Sequence, residues 1–364
     1  MSNVTALPLA ERTNIKDWDF ESLKLDNVNA PSVDIASLVP ANAKNAIIVA
    51  DGHIVHQSFE NSITIENKGI ELIRENNKLI DINKKNKNSL ITVNIAKNSV
   101  LSEPLYITYV ASNRSLVHQT EINIGSSAEA NIVESFVSEN KQTVNILSKV
   151  NVGANAKANT TVINGINGKS VVYYHRHTEV DQDASLEATN FVINDSNVVV
   201  EDFTHLIGKG SEANVATVAL TTESQKQNIT IRVENLAPNA IGNIVNYGIS
   251  QDNAHLAFNG VGKIHKGMNG GDNQQETRVL NLSRTAEAIA NPFLLIDEGD
   301  ITAGHAASIG QIDEEQVYYL QSRGLTKTEA EKLIVSGFLT PFANIIKDET
   351  LKEQLLQSIE NKLG

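Results

Sequence analysis

The stretches GSSAEAN (Gly125–Asn131) and GANAKAN (Gly153–Asn159) share their glycine, two alanines and final asparagine, and stand 28 residues apart. Ala128, Ala156 and Ala184 keep that spacing, Ala213 follows after 29 residues and Ala240 after 27. A small residue recurring at this interval in strand-rich sequence predicts a coil of stacked rungs. Each turn then has a tight corner that only a small side chain fits. A propeller blade of the commonest repeat class is longer, and a sandwich has no register at this period.

Around these repeats, residues 46–303 are rich in Val, Ile, Thr, Asn and Gly in short alternating runs such as ITVNIAKNSV and VEDFTHLIGKG. Such runs suit half-buried strands bounded by Asn/Gly turns. The predicted fold is mainly β: a β-solenoid of about 28 residues per turn with small helical regions at both ends. Residues 1–45 are polar, contain the single Trp18 and read as a partly helical lead-in. Residues 304–364 form the C-terminal helical region. There Gln316, Tyr319 and Leu320 recur at helical spacing before Gly324, and Thr326 with Glu329 makes a capping box. Gly337 is expected to close the helix so opened. Helical ends are expected to cover the unpaired backbone of the coil.

The 364 residues carry a formal net charge of -13 and no cysteine. The charge argues against a nucleic-acid partner. The missing thiols exclude disulfides, thiolate metal sites and a cysteine nucleophile. The opening MSNVTALPLAERTN has no basic, then apolar, secretory pattern, and no apolar run is long enough to span a membrane. A cytoplasmic protein without a membrane partner is expected.

Several groups invite a chemical reading. Gly165–Ser170 has the Gly-Lys-Ser tail of a phosphate loop, but Ile163 stands where the first glycine belongs and strand-like VVYYHRH follows. A rung-connecting turn is the expectation. His175, His177 and Glu179 alternate on one strand face, and His205 lies 28 residues beyond His177, where the repeat would stack it on the next rung. His177 and His205 are candidate metal ligands, weighed against a plain solvated exterior. Asp181, Asp183 and Glu187 offer the carboxylates that a glycan-cleaving β-helix would use, an alternative reading. Finally, ITAGHAASIGQIDEEQVYYLQSRGL (Ile301–Leu325) sets His305 among Gly304, Ala306 and Ala307, so backbone can approach it closely. Such a histidine can serve as metal ligand, acid/base or interface contact.

This last segment resembles the SufB/SufD family of iron–sulfur cluster assembly proteins. Its signature is a short strand, a Ser-His-Gly-Ala-like turn, Gly, an acidic stretch, then an aromatic-Tyr-Leu-x-Ser-Arg-Gly helix. Here these are Gly304-His305-Ala306-Ala307, Gly310, Asp313-Glu314-Glu315 and Tyr318 to Gly324. Gly337-Phe338, Leu280-Asn281-Leu282-Ser283, Asn291-Pro292 and Asp17-Trp18-Asp19-Phe20 resemble further family elements. Absence of cysteine places the resemblance on the SufD side. Ala303 and Ala306 depart from the pattern, standing where Cys and Gly are frequent. The resemblance implies a right-handed parallel β-helix and a non-enzymatic scaffold subunit of a SufBCD complex. It implies pairing with SufB, self-pairing as a homodimer, and docking of the SufC ATPase through the C-terminal region. Tyr319, Arg323, Gly324 and Phe338 would lie in that docking part. It further implies that His305 lies at the SufB interface, where the nascent cluster forms. No cofactor would be tightly bound by the isolated chain, the cluster being shared with a partner.

Overall fold

Along Lys157–Ile166 burial alternates: Ala158, Thr160, Val162, Asn164 and Ile166 are buried, and the residues between them are partly or fully exposed. Gly271–Asn281 keeps the same alternation, other strands such as Val171–Val180 and Asn197–Leu206 are covered on both faces, and the inward rows meet in one continuous core. The computed structural model describes residues 15–26, 29–40, 42–70, 75, 77–138, 140–343 and 349–363.

Among the described residues, a short α1 (Ile35–Leu38) precedes β1 (Asn45–Ala50), β2 (His53–Ser58) and β3 (Ile63–Glu66). Then come α2 (Lys78–Asn86), β4 (Ser89–Ile95), β5 (Leu105–Val110), β6 (Leu116–Ile124), β7 (Glu129–Ser138) and β8 (Thr143–Val152). The coil continues with β9 (Lys157–Ile166), β10 (Val171–Val180), β11 (Ser185–Ile193), β12 (Asn197–Leu206), β13 (Glu212–Thr221) and β14 (Lys226–Asn235). It ends with β15 (Ile241–Ser250), β16 (His255–Ile264), β17 (Gly271–Asn281), β18 (Glu287–Ile296) and β19 (Ile301–Gln311). α3 (Glu314–Ser322), α4 (Lys327–Ala343) and α5 (Glu349–Lys362) follow.

The strands alternate between two sheets, one ordered β19-β17-β15-β13-β11-β9-β7-β5-β1-β2 and the other β18-β16-β14-β12-β10-β8-β6-β4-β3. From β4 and β5 onward each strand pairs in parallel with the strand two places on, making about 8 turns of about 29 residues. This is the predicted solenoid, with a mean turn slightly longer than the 28 residues expected.

The corners explain the sequence repeat. Ser127, Asn155 and Asp183 adopt left-handed backbone with φ near 55°. Each precedes one of Ala128, Ala156 and Ala184, all fully buried. Successive corners bond to one another, as Asn155 N–H does to Gln182 O at 2.8 Å. Ala213 breaks the series: it pairs with Leu186 inside β13, and the true corner is Gly210-Ser211. One row of asparagines stacks on the outside of the coil. Asn123 donates to Asn94 at 2.9 Å, and Asn151 to Asn123 at 2.6 Å.

Gly168-Lys169 is another left-handed corner, followed by β10 rather than a helix, so the phosphate-loop geometry is not formed. Asp183 serves the corner, and Glu187 accepts from Asn214 on the next rung at 3.0 Å. Asp181 accepts from Gln182 N–H at 2.7 Å in the same corner.

Three expectations are corrected. The coil runs to Gln311, past residue 303, so His305 lies within a strand and not in a turn. α4 continues through Gly337 and Pro341 to Ala343. Among the described residues, α4 and α5 lie on a sheet face rather than over the end of the coil: Val335, Leu339, Phe342 and Ile359 pack on Val218, Tyr247 and Ile249. On the opposite sheet, Phe20, Leu79 and Ile80 pack on Leu147, Tyr173 and Val199, with Trp18 alongside.

Candidate functional site

The coil closes differently at its two ends. At the beginning, β2 and β3 turn back antiparallel on β1 and β4. At the other end β18 and β19 are edge strands, and β19 is almost wholly exposed. Gly304, Ala306 and Ala307 have weak strand propensity, and the family signature they resemble has a turn there. In-register pairing with β17 holds them extended.

That register fixes where His305 points. His305 pairs with Gln275, which is buried on the inward row of β17 with Asn273, Thr277 and Val279. His305 therefore faces the coil interior at its open mouth and is itself exposed. Ala303, Ala307 and Ile309 share its row, and Ile309 is 46% exposed. Gly304 packs against Gln274, whose amide oxygen would lie 2.7 Å from an added Cβ.

The C-terminal residues divide. Tyr318 and Tyr319 of α3 are exposed, and the Arg323 guanidinium lies 5.1 Å from the Tyr319 ring centre. Gly324 ends α3 with φ +102°, a left-handed stop. Phe338 turns the other way and packs on Tyr247 at 5.3 Å between ring centres. The capping box is formed as expected, Glu329 N–H donating to Thr326 Oγ1 at 3.2 Å and Thr326 N–H to Glu329 Oε2 at 2.7 Å.

The histidines of β10 and β12 are not a solvated exterior. His175, His177 and Glu179 do share the outward face of β10, but His175 and His177 are fully buried and His205 nearly so. Nor does His205 stack on His177: His177 pairs with Phe203 and His205 with Glu179. The rings of His177 and His205 still approach to 4.6 Å. Sequence reading missed Glu75, which meets both histidines from the segment before α2. Glu75 Oε2 lies 3.0 Å from His177 Nδ1 and 3.6 Å from His175 Nε2, and Oε1 lies 3.7 Å from His205 Nε2. A contact between positions about a hundred residues apart leaves no periodic trace in the sequence.

Charge is balanced locally. Burial alone would push the Glu75 carboxyl up, yet His175 and His177 hold it far below the usual carboxylate range. Burial likewise opposes charge on His175 and His177, and is outweighed by Glu201 and Glu75 for the first and by Glu179 and Glu75 for the second; both imidazoles are raised.

Fold and mouth together define a parallel β-solenoid protein with one open, histidine-bearing end. Residues 107–338 match the family described as SUF system FeS cluster assembly, SufBD core domain. The chain is 35% identical over 275 residues to the iron-sulfur cluster assembly protein SufD of Bacillus subtilis, covering 74% of this chain and 63% of that protein. It is 22% identical over 384 residues to SufD of Escherichia coli, covering 99% and 90%. An iron-sulfur cluster assembly SufBD family protein of Staphylococcus epidermidis is 24% identical over 253 residues, covering 68% and 54%. This chain belongs to the SufB/SufD family of iron–sulfur cluster assembly proteins and is a SufD-like member. Among the described residues no helix is long and apolar enough to cross a membrane.

Proposed function

We propose that this chain is a non-enzymatic, cytoplasmic scaffold subunit of a SufBCD-type complex. Its open coil end pairs with a SufB-like protein, and its C-terminal helices dock a SufC-like ATPase. The observation that carries the reading is β19: an eleven-residue exposed edge strand, with His305 facing the mouth among small neighbours. An open strand edge is a ready template for another chain. Small residues let that chain approach closely, and His305 then stands where the partner's cysteines can meet it. One imidazole can replace a thiolate on iron, so a cluster could form between the two subunits as cargo. The same edge can also accept a second copy of this chain when SufB is absent, giving a homodimer.

For the ATPase, exposed Tyr319 and the adjoining Arg323 and Gly324 supply a contact surface, while Phe338 anchors α4 to the coil. ATP binding on the partner would move this region and open the buried interface. Copurification with SufB and SufC homologues tests the assembly; no association in any nucleotide state would overturn it. His305→Ala tests the mouth: cluster production should fall in cells that depend on this pathway while the complex still assembles. Unimpaired production would remove His305 from the reading.

A further inference from the structure

One group of buried side chains has no part in that pairing. His175 and His177 of β10 and His205 of β12 face outward, and the segment before α2 brings the Glu75 carboxylate down onto them. Ligand atoms of Glu75, His177 and His205 all lie within 4.8 Å of one another. Two donors each about 2.1 Å from one ion and set tetrahedrally lie roughly 3.4 Å apart. The observed separations of 3.0 and 3.7 Å between the Glu75 oxygens and the two imidazoles bracket that value.

The surroundings are those of a held ligand set. His175 Nδ1 lies 3.3 Å from Glu201 Oε2, and Glu201 is itself fixed by Tyr173 Oη at 2.5 Å and Asn77 Nδ2 at 3.0 Å. His177 Nε2 lies 3.4 Å from Glu179 Oε1. Carboxylates behind imidazoles orient them and strengthen them as ligands. His175 Nε2 is fully buried, makes no hydrogen bond and is directed at the same Glu75 oxygen. The Glu75 side chain keeps 14% of its surface in solvent, so an ion can reach it.

We propose that Glu75, His177 and His205, with His175 beside them, form a site for one divalent transition-metal ion of the Zn²⁺ or Fe²⁺ class. Two imidazoles and a carboxylate suit these ions and not Mg²⁺ or Ca²⁺. The site lies on the outer face of the coil, away from the mouth, and departs from the expectation that the isolated chain holds no cofactor. It does not depend on the pairing proposed above.

The test titrates the chelator-treated full chain with ZnCl₂ and with CoCl₂, by calorimetry and by the visible spectrum of bound Co²⁺. One equivalent should bind, with tetrahedral-type cobalt bands. His177→Ala and His205→Ala should weaken binding by about 100-fold or more, beyond the loss usual for an outer-sphere partner. Glu75→Gln keeps the shape of the side chain. It should keep the fold by circular dichroism yet lose the metal-induced rise in Tm. His305→Ala should bind as the unaltered chain does. Failure of the unaltered chain to take up either ion, or equal affinity in His177→Ala, His205→Ala and Glu75→Gln, overturns the site.

Discussion

Glu134, Arg176 and Asp202 are ionisable residues sealed inside a coil lined mainly by Val, Ile, Leu and Ala. Burying charge is costly unless it is paired. Arg176 is paired: its Nε donates to Asp202 Oδ1 at 3.0 Å, its Nη2 meets Asp202 Oδ2, and Asn190 Oδ1 accepts at 3.2 Å. Among the described residues Glu134 accepts a hydrogen bond from Tyr109 Oη, at 3.2 Å, and feels the field of Arg176. Burial therefore dominates and pushes its carboxyl up to about 7. In the unfolded chain the carboxyl ionises near its ordinary value of 4.5, so between 4.5 and 7 the folded state binds the extra proton. Its contribution to stability is fully present below 4.5 and is lost as pH rises through 7. Glu134→Gln removes that loss. It should match the unaltered chain in unfolding free energy at pH 4.5 and exceed it at pH 8.5, by up to about 3 kcal/mol, as read by denaturant titration. Equal differences at the two pH values would refute the buried acid.

At the level of elements, the corners were the readable part of the fold and α2 was not. A corner demands both a left-handed backbone and a small inward side chain, so Ala128, Ala156 and Ala184 recur in sequence. Even there Ala213 misled, because the next corner uses Gly210-Ser211 and nearby alanines look alike. α2 spans only nine residues between strand-like runs, too few for a helical period to stand out. Its start is marked by one residue, Asn77, which accepts from Leu79 N–H at 2.9 Å and Ile80 N–H at 3.0 Å. The same side chain donates to Tyr173 Oη and Glu201 Oε2, tying helix to sheet. Asn77→Ala should cost about 1 kcal/mol as a lost cap and more where Glu201 loses a donor. Hydrogen exchange should speed up in Lys78–Asn86 while β14 and β16 stay protected. Unchanged exchange in α2 would mean that the cap does not hold the element down. His305 was legible through its small neighbours and the motif after it. Its setting was not, because a Gly/Ala-rich strand is made by its pairing partner and not by its own propensity.

For the molecule as a whole, the asymmetry of the ends matters most. The beginning of the coil is finished by β2 and β3, and the other end is left as a strand edge with an exposed row of His305, Ala307 and Ile309 beside half-buried Ala303. Ile309→Lys sets a charge in that row at a position already 46% exposed, so the isolated chain should keep its Tm nearly unchanged. Light scattering of the mixture with a SufB-like partner should show the complex lost or greatly weakened. An undiminished complex would move the interface elsewhere. The rest of the fold holds the two ends apart in fixed increments, since neighbouring strands of a sheet lie about 4.8 Å apart. From β12, which carries His205, to β18 at the mouth is three such steps, roughly 14 Å. The coil is thus a ruler graduated in turns: duplicating one turn between these strands would carry the mouth one graduation further from the histidine cluster and leave the chemistry of both untouched.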